Sequence, residues 1–141
     1  MKDKFILITL MLFALGSYQA HSQFGVSFHH SNLPFIGINY EGQKFMPEFR
    51  IGLDNHIEDV SYELVLNHFF KRNGNYDIYG GLGGRINSFE GVVLPIGLNI
   101  YPFDDKNFGF HIELAGLLQL PGDLDAVLRG SWGIRYRFKK E

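Results

Sequence analysis

The chain is predicted to be all-β, an eight-stranded antiparallel up-and-down barrel that crosses a membrane. Three observations predict it. Apolar and polar residues alternate with a period of two, as in strands whose successive side chains point to opposite faces. Turn residues interrupt this alternation at short intervals and leave eight segments. Glycine also shares a face with charge. Gly25, Gly37, Gly52, Gly81, Gly83, Gly97, Gly109 and Gly133 fall in the charged register, whereas Gly80, Gly84, Gly116 and Gly130 fall in the apolar one.

At 141 residues the chain has the size of one domain. Its formal net charge of −2 provides no basic field for nucleic acid. The absence of cysteine excludes disulfides, thiol chemistry and a lipid anchor on an N-terminal cysteine. Residues 1–22 read as a signal peptide. Lys2 and Lys4 open it, Phe5 to Leu15 form an apolar run, and Ala20-His21-Ser22 offers a cut before Gln23. That run is too short to span a bilayer as a helix, which takes about 20 residues; a short N-terminal anchor is the alternative. The barrel domain is then 23–141.

The predicted strands are 24–30, 35–42, 44–53, 60–70, 76–86, 92–101, 108–120 and 126–138. "HSNLP", "EGQ", "DNHIED", "KRNGN", "NSFEG", "PFDDKN" and "PGDLD" separate them, rich in Gly, Pro, Asn and Asp. Links this short favour an antiparallel meander. Alternation is clearest in the last two segments. Phe108, Phe110, Ile112 and Leu114 oppose Gly109, His111, Glu113 and Ala115; Leu128, Trp132, Ile134, Tyr136 and Phe138 oppose Arg129, Ser131, Gly133, Arg135 and Arg137.

Periodicity does not say which face is wet. A soluble barrel buries the apolar face, and a membrane barrel turns it to lipid. Glycine decides, because a solvated face has no use for a residue that weakens strands. The lumen of an eight-stranded barrel is just wide enough to be filled by side chains, and small residues there make room for large ones. The polar register supplies a network that can pair internally: Glu48, Arg50, Glu63, Asp77, Arg85, Glu113, Arg129 and Arg135, with Arg137. Reversing the parity is costly, since an outward Arg at mid-bilayer costs ~2–4 kcal/mol. Phe103, Phe108, Tyr136 and Phe138 gather near one rim, as an interfacial girdle does.

The closing stretch "SWGIRYRF" resembles the C-terminal assembly signal of bacterial outer-membrane barrels, with Ser131, Gly133, Tyr136 and Phe138 matching it and Lys139, Lys140 and Glu141 following. Residues 23–141 resemble small eight-stranded outer-membrane proteins, and "LPIGLNIYPF" is similar to strands of the Bacteroidetes type. The resemblance implies a monomer exported to a Gram-negative outer membrane. It also implies contact with outer-membrane lipids and lipopolysaccharide, and recognition by the barrel-assembly machinery through Gly133, Tyr136 and Phe138. A filled lumen implies a structural or unspecified envelope role rather than a wide pore. No cofactor and no metal are expected.

Two other readings stay open. His29-x-Ser31-Asn32 resembles the H-x-S-N motif of outer-membrane lipid A deacylases. That resemblance implies His29 as general base, Ser31 as nucleophile, Asn32 as oxyanion donor and Glu41 as the nearest acid, by triad logic. Glu41 falls toward the other end of its strand, more than about 15 Å off at the strand rise, and His-Ser-Asn-Leu-Pro is also ordinary turn chemistry. The other reading is a soluble, lipocalin-like binder of an apolar ligand with the parity inverted. Asp54, His56, Glu58 and Asp59 form an acidic loop that reads as a solvated surface before it reads as a cation site.

Overall fold

The computed structural model describes residues 23–53, 60–87, 89–119 and 125–138. The predicted signal peptide, the acidic loop residues Asp54, His56, Glu58 and Asp59, and the final Lys139-Lys140-Glu141 lie outside these. Eight strands run in sequence order: β1 (Gln23–His30), β2 (Phe35–Glu41), β3 (Phe45–Gly52), β4 (Tyr62–Arg72), β5 (Tyr76–Ile86), β6 (Gly91–Ile100), β7 (Phe108–Gln119) and β8 (Ala126–Phe138). Each pairs antiparallel with its neighbours in the chain. β1 pairs with β8, Phe24 opposite Phe138 and His30 opposite Trp132, and this closes the barrel. Closure leaves no unpaired strand edge.

The predicted bounds of β5 and β8 are those observed, and the other strands differ by one or two residues at an end. The exception with consequences is β4, which continues to Arg72 through a β-bulge between Phe69 and Lys71. A bulge inserts one extra residue and reverses the parity beyond it. Glu63, Val65, Asn67 and Phe69 point inward before it; after it Arg72 stands opposite Asp77. The alternation that assigned "KRNGN" to a turn could not see this.

The polar register faces inward on every strand. Adjacent Leu128 and Arg129 are 67% and 0% exposed. Large apolar side chains cover the outside of all eight strands, among them Phe28, Ile38, Phe49, Leu66, Leu82, Ile96, Ile112 and Trp132. The inverted arrangement, with apolar faces enclosing a ligand cavity, is not the one adopted. Toward the end opposite the termini, Val65, Val93, Ala115 and Leu117 pack together under Leu33 and Val127; toward the termini, Met46, Phe69 and Tyr79 form a second buried cluster. At the end carrying the termini the aromatics form a rim: Phe24–Tyr40, Phe103–Phe108 and Tyr136–Phe138 have ring centroids 5.0, 5.9 and 5.1 Å apart.

Inward glycines are the hollows into which large side chains fit. A Cβ on Gly97 would lie 2.4 Å from the Tyr79 hydroxyl, whereas one on outward Gly116 would meet nothing within 4 Å. Tyr79 is fully buried and hydrogen-bonded, so it has nowhere to retreat. Gly97→Ala is therefore expected to cost ~1–3 kcal/mol, the usual range for overpacking. Gly116→Ala is expected to leave the unfolding midpoint within about 0.5 kcal/mol of the parent's. Urea unfolding of the two variants in detergent measures the contrast.

Candidate functional site

The barrel interior holds the polar residues that the sequence singles out, and they fall into two clusters. In the central one, Arg50 on β3 reaches across to Glu113 on β7, donating from Nη1 and Nη2 to the two carboxylate oxygens at 2.8 and 2.7 Å. In a ring of eight strands these two lie on opposite walls. Arg129 on β8 and Glu63 on β4 form a second pair between opposite walls, with Nη1 and Nη2 donating at 2.5 and 3.1 Å. Glu63 also accepts from Arg85 at 2.7 Å, and Glu113 accepts from the Tyr79 hydroxyl at 2.7 Å. Glu48 accepts from Arg50 Nε, and from Arg135 Nη1 at 2.9 Å. Such two-pronged pairs use the planar fork of arginine.

An aromatic plate organises this cluster. The Phe35 ring lies 4.8 Å from the Arg50 guanidinium carbon, 4.5 Å from that of Arg129 and 4.0 Å from the His29 ring. Cation–π attraction is strongest where water is excluded, and Arg50, Arg129 and Phe35 are all fully buried.

The second cluster closes the end that carries the termini. Arg72, brought inward by the β4 bulge, donates to Glu41, to Asp77 at 3.3 Å and to the Gly42 carbonyl at 2.7 Å. Arg137 donates to Glu41 at 3.0 Å and to Asp77 at 2.7 Å, and its guanidinium carbon sits 3.4 Å from the Tyr101 ring centroid. Arg72 carries no signal in a strict two-residue alternation. Glu41 does, since Gly37, Asn39 and Glu41 share one parity.

His29, Ser31 and Glu41 are not brought together. His29 points into the lumen, where its Nε2 lies 3.1 Å from Ser27 Oγ and 3.6 Å from Glu48, and its Nδ1 lies 3.0 Å from His111 Nε2. Ser31 Oγ accepts the Leu33 amide at 3.0 Å, which shapes the loop that lays Leu33 over the apolar end of the lumen. Glu41 is held by Arg72 and Arg137. Along β2 it is six residues from Phe35, the residue opposite His29, or about 20 Å at the strand rise. A nucleophile, base and orienting acid work only within hydrogen-bond reach. Among the described residues, no group of three or more His, Cys, Asp or Glu is placed to hold a metal ion.

Of the assembly-signal residues, Tyr136 and Phe138 lie outside at the aromatic rim, and Gly133 lies inside at the β1–β8 seam. A Cβ on Gly133 would stand 1.8 Å from the Phe28 carbonyl oxygen. Only glycine lets β1 and β8 approach this closely.

Breaking a buried pair on one side strands the other charge, at a cost of ~3–5 kcal/mol. Glu113→Ala, which strips the acceptors from Arg50 Nη1 and Nη2 and from the Tyr79 hydroxyl, is expected to fall in that range. The double variant Glu113→Leu with Arg50→Leu is expected to regain part of the loss, because the charge and its main partner are removed together. Arg72→Ala, at a part-exposed rim, is expected to cost less than Glu113→Ala. Denaturant unfolding in micelles ranks the three.

No protein-family model matches the chain, and no curated protein matches it. Among solved structures the chain is similar to the outer membrane protein Ail of Yersinia pestis, whose backbone structure was determined in a phospholipid bilayer nanodisc. The likeness has a TM-score of 0.53 at 16% sequence identity and covers 83% of this chain and 98% of that one. The two chains share a fold: an all-β, closed antiparallel barrel of eight strands.

Proposed function

We propose that the protein is a small integral barrel of a Gram-negative outer membrane, with a filled lumen and a structural or envelope-maintaining role. One observation carries this reading: charge is sealed inside the barrel while large apolar side chains cover its outside on every strand. In water such a surface is a severe liability, because monomeric soluble proteins rarely expose apolar patches beyond a few hundred Å². In a bilayer it is the required one.

The dimensions agree. Outward side chains on β8 run from Leu128 to Phe138. That is about 33 Å along the strand at ~3.3 Å per residue, or about 25 Å along the axis at a tilt of ~40°. The apolar band of outer-membrane barrels is also about 25 Å tall. The aromatic rim marks one membrane interface in this reading. The ion pairs between opposite walls and the Leu33-capped apolar layer support a closed lumen rather than a pore. The signal-peptide pattern of residues 1–22 and the match of Ser131, Gly133, Tyr136 and Phe138 to an assembly signal support export and insertion by the barrel-assembly machinery. The partners in this reading are outer-membrane lipids and lipopolysaccharide, met by a monomer of the Bacteroidetes type.

Two measurements test it. Expressed with its leader, the protein is expected in the outer-membrane fraction, migrating faster unboiled than boiled on a denaturing gel; release as a soluble periplasmic protein without detergent would overturn the reading. Ile112, at mid-height on β7 and 61% exposed, is the second probe. In lipid vesicles Ile112→Arg is expected to destabilise by ~2–4 kcal/mol. A water-facing position would tolerate the same change within ~0.5 kcal/mol.

A further inference from the structure

Among the Lys, Arg, Asp and Glu residues of the described strands, Lys71 on β4 alone turns its side chain to the outer face. The β4 bulge puts it there. In unbroken alternation Lys71 would share the inward face of Phe69. With the extra residue, Phe70 and Lys71 both stand outside, Lys71 opposite Ile78, and Arg72 turns in opposite Asp77. Bulges re-aim side chains and are built features of a strand. This one parts two adjacent cations, sending Arg72 to the lock at the lumen's end and Lys71 to the outer surface.

The surroundings of Lys71 have the character of a membrane interface. Its Nζ lies 5.4 Å from the Tyr76 ring centroid. Beside it Phe45, His68 and Phe70 form a shelf, with successive ring centroids 5.0 and 5.5 Å apart. The Phe70 ring lies over Gly80, 2.7 Å from where a Cβ would stand. Aromatic residues sit at headgroup level, and lysine carries its charge to that level on an apolar stem. Exposed cations also gather at this end. The segments joining β1–β2, β3–β4, β5–β6 and β7–β8 contain no Lys or Arg, whereas Lys44 and Lys106 lie in the turns on the side of the termini, with Asp104 and Asp105. Lys106 is engaged by the Tyr101 carbonyl at 3.0 Å, and the nearby acids Glu41 and Asp77 are held by Arg72 and Arg137.

We propose that Lys71 binds the phosphate of an anionic glycerophospholipid in the leaflet on the side of the termini, with the acyl chains along the Phe45–His68–Phe70 shelf. The inference rests on the membrane-barrel reading and adds a particular contact to it. Lipid is the occupant because the charge stands among rim aromatics, on a face whose other strand residues are mainly apolar. The Lys71 ammonium donates to the phosphate oxygens, and the Tyr76 ring keeps the lysine stem at the headgroup level.

Phosphatidylglycerol is the probe and phosphatidylcholine its zwitterionic control. The wild-type protein in neutral-detergent micelles is titrated with each, and bound lipid is counted by mass spectrometry under non-denaturing conditions. One phosphatidylglycerol is expected to be retained in preference to phosphatidylcholine. Lys71→Gln is expected to weaken that binding about fivefold, the scale of one lysine at an anionic surface. Lys71→Arg is expected to keep the binding, and Lys44→Gln, in a neighbouring turn, to leave it unchanged. Should Lys71→Gln fail to fold, a phosphatidylglycerol with a photo-crosslinking headgroup maps the contact on the wild type, with labelling expected between Phe70 and Tyr76. Equal retention of the two lipids, equal losses in Lys71→Gln and Lys44→Gln, or crosslinks confined to other segments would each overturn the proposal. If the wild type nonetheless inserts into vesicles and shifts on boiling, the membrane-barrel reading stands without it. A wild-type protein that stays soluble without detergent would overturn both.

Discussion

The ion pairs that join opposite walls of the barrel are the constraint on which the rest depends. Arg50 on β3 and Glu113 on β7 meet at the barrel axis, as do Arg129 on β8 and Glu63 on β4. A closed ring of eight strands is the geometry that brings residues 63 and 66 positions apart in sequence to hydrogen-bond distance. Buried ion pairs are weak evidence for stability, because desolvation offsets much of their attraction. Their effect here is on uniqueness. With one strand shifted by a residue, its charges would stand outside among apolar side chains and its partners would be stranded within.

From that constraint follows the complementarity of small and large inside the lumen. The interior is too narrow for arginine, tyrosine and glutamate on every inward position. Tyr79 occupies the space left by Gly97, and Tyr101 the space left by Gly109. Glycine weakens a strand locally, but in a closed barrel each strand is held by two neighbours. At the seam Gly133 has a second duty, letting β8 come close to β1. The outward face is then free to be mainly apolar, since most of the charged side chains of the strands are enclosed.

The two ends are closed by different physics. At the end bearing the termini, Arg72 and Arg137 bind Glu41 and Asp77, with the Phe69 and Tyr101 rings under the guanidiniums. At the opposite end, Leu33 and Val127 cover an apolar layer of Val65, Val93, Ala115 and Leu117. Ser31, which in isolation resembles part of a catalytic motif, here shapes the turn that positions Leu33. His29, its apparent partner, belongs to the luminal network with Ser27 and His111.

Local chemistry was enough to read the strand count, the antiparallel order and, short of the β4 bulge, the side of the sheet that strand residues face. Alternation is a property of neighbouring positions, and the co-location of glycine with arginine and glutamate says that this face is crowded and enclosed. Membership of the luminal network was legible for the same reason: Glu48, Arg50, Glu63, Asp77, Arg85, Glu113, Arg129 and Arg135 each sit in the polar register of their own strand. Pairing across the lumen was not legible, because the choice of Glu113 for Arg50 and of Glu63 for Arg129 depends on closure, stagger and reach. Neither was the recruitment of Arg72, which requires an extra residue in β4 that a period of two does not encode. Glu41 shows the boundary between the two. Its parity placed it inside, yet only the closed barrel brought Arg137 across from β8 and Arg72 around the bulge to hold it. What the sequence determined was which side chains must be kept from the surroundings; the tertiary structure decided which of them hold one another, because that choice is made by distance across the lumen, which no local pattern contains.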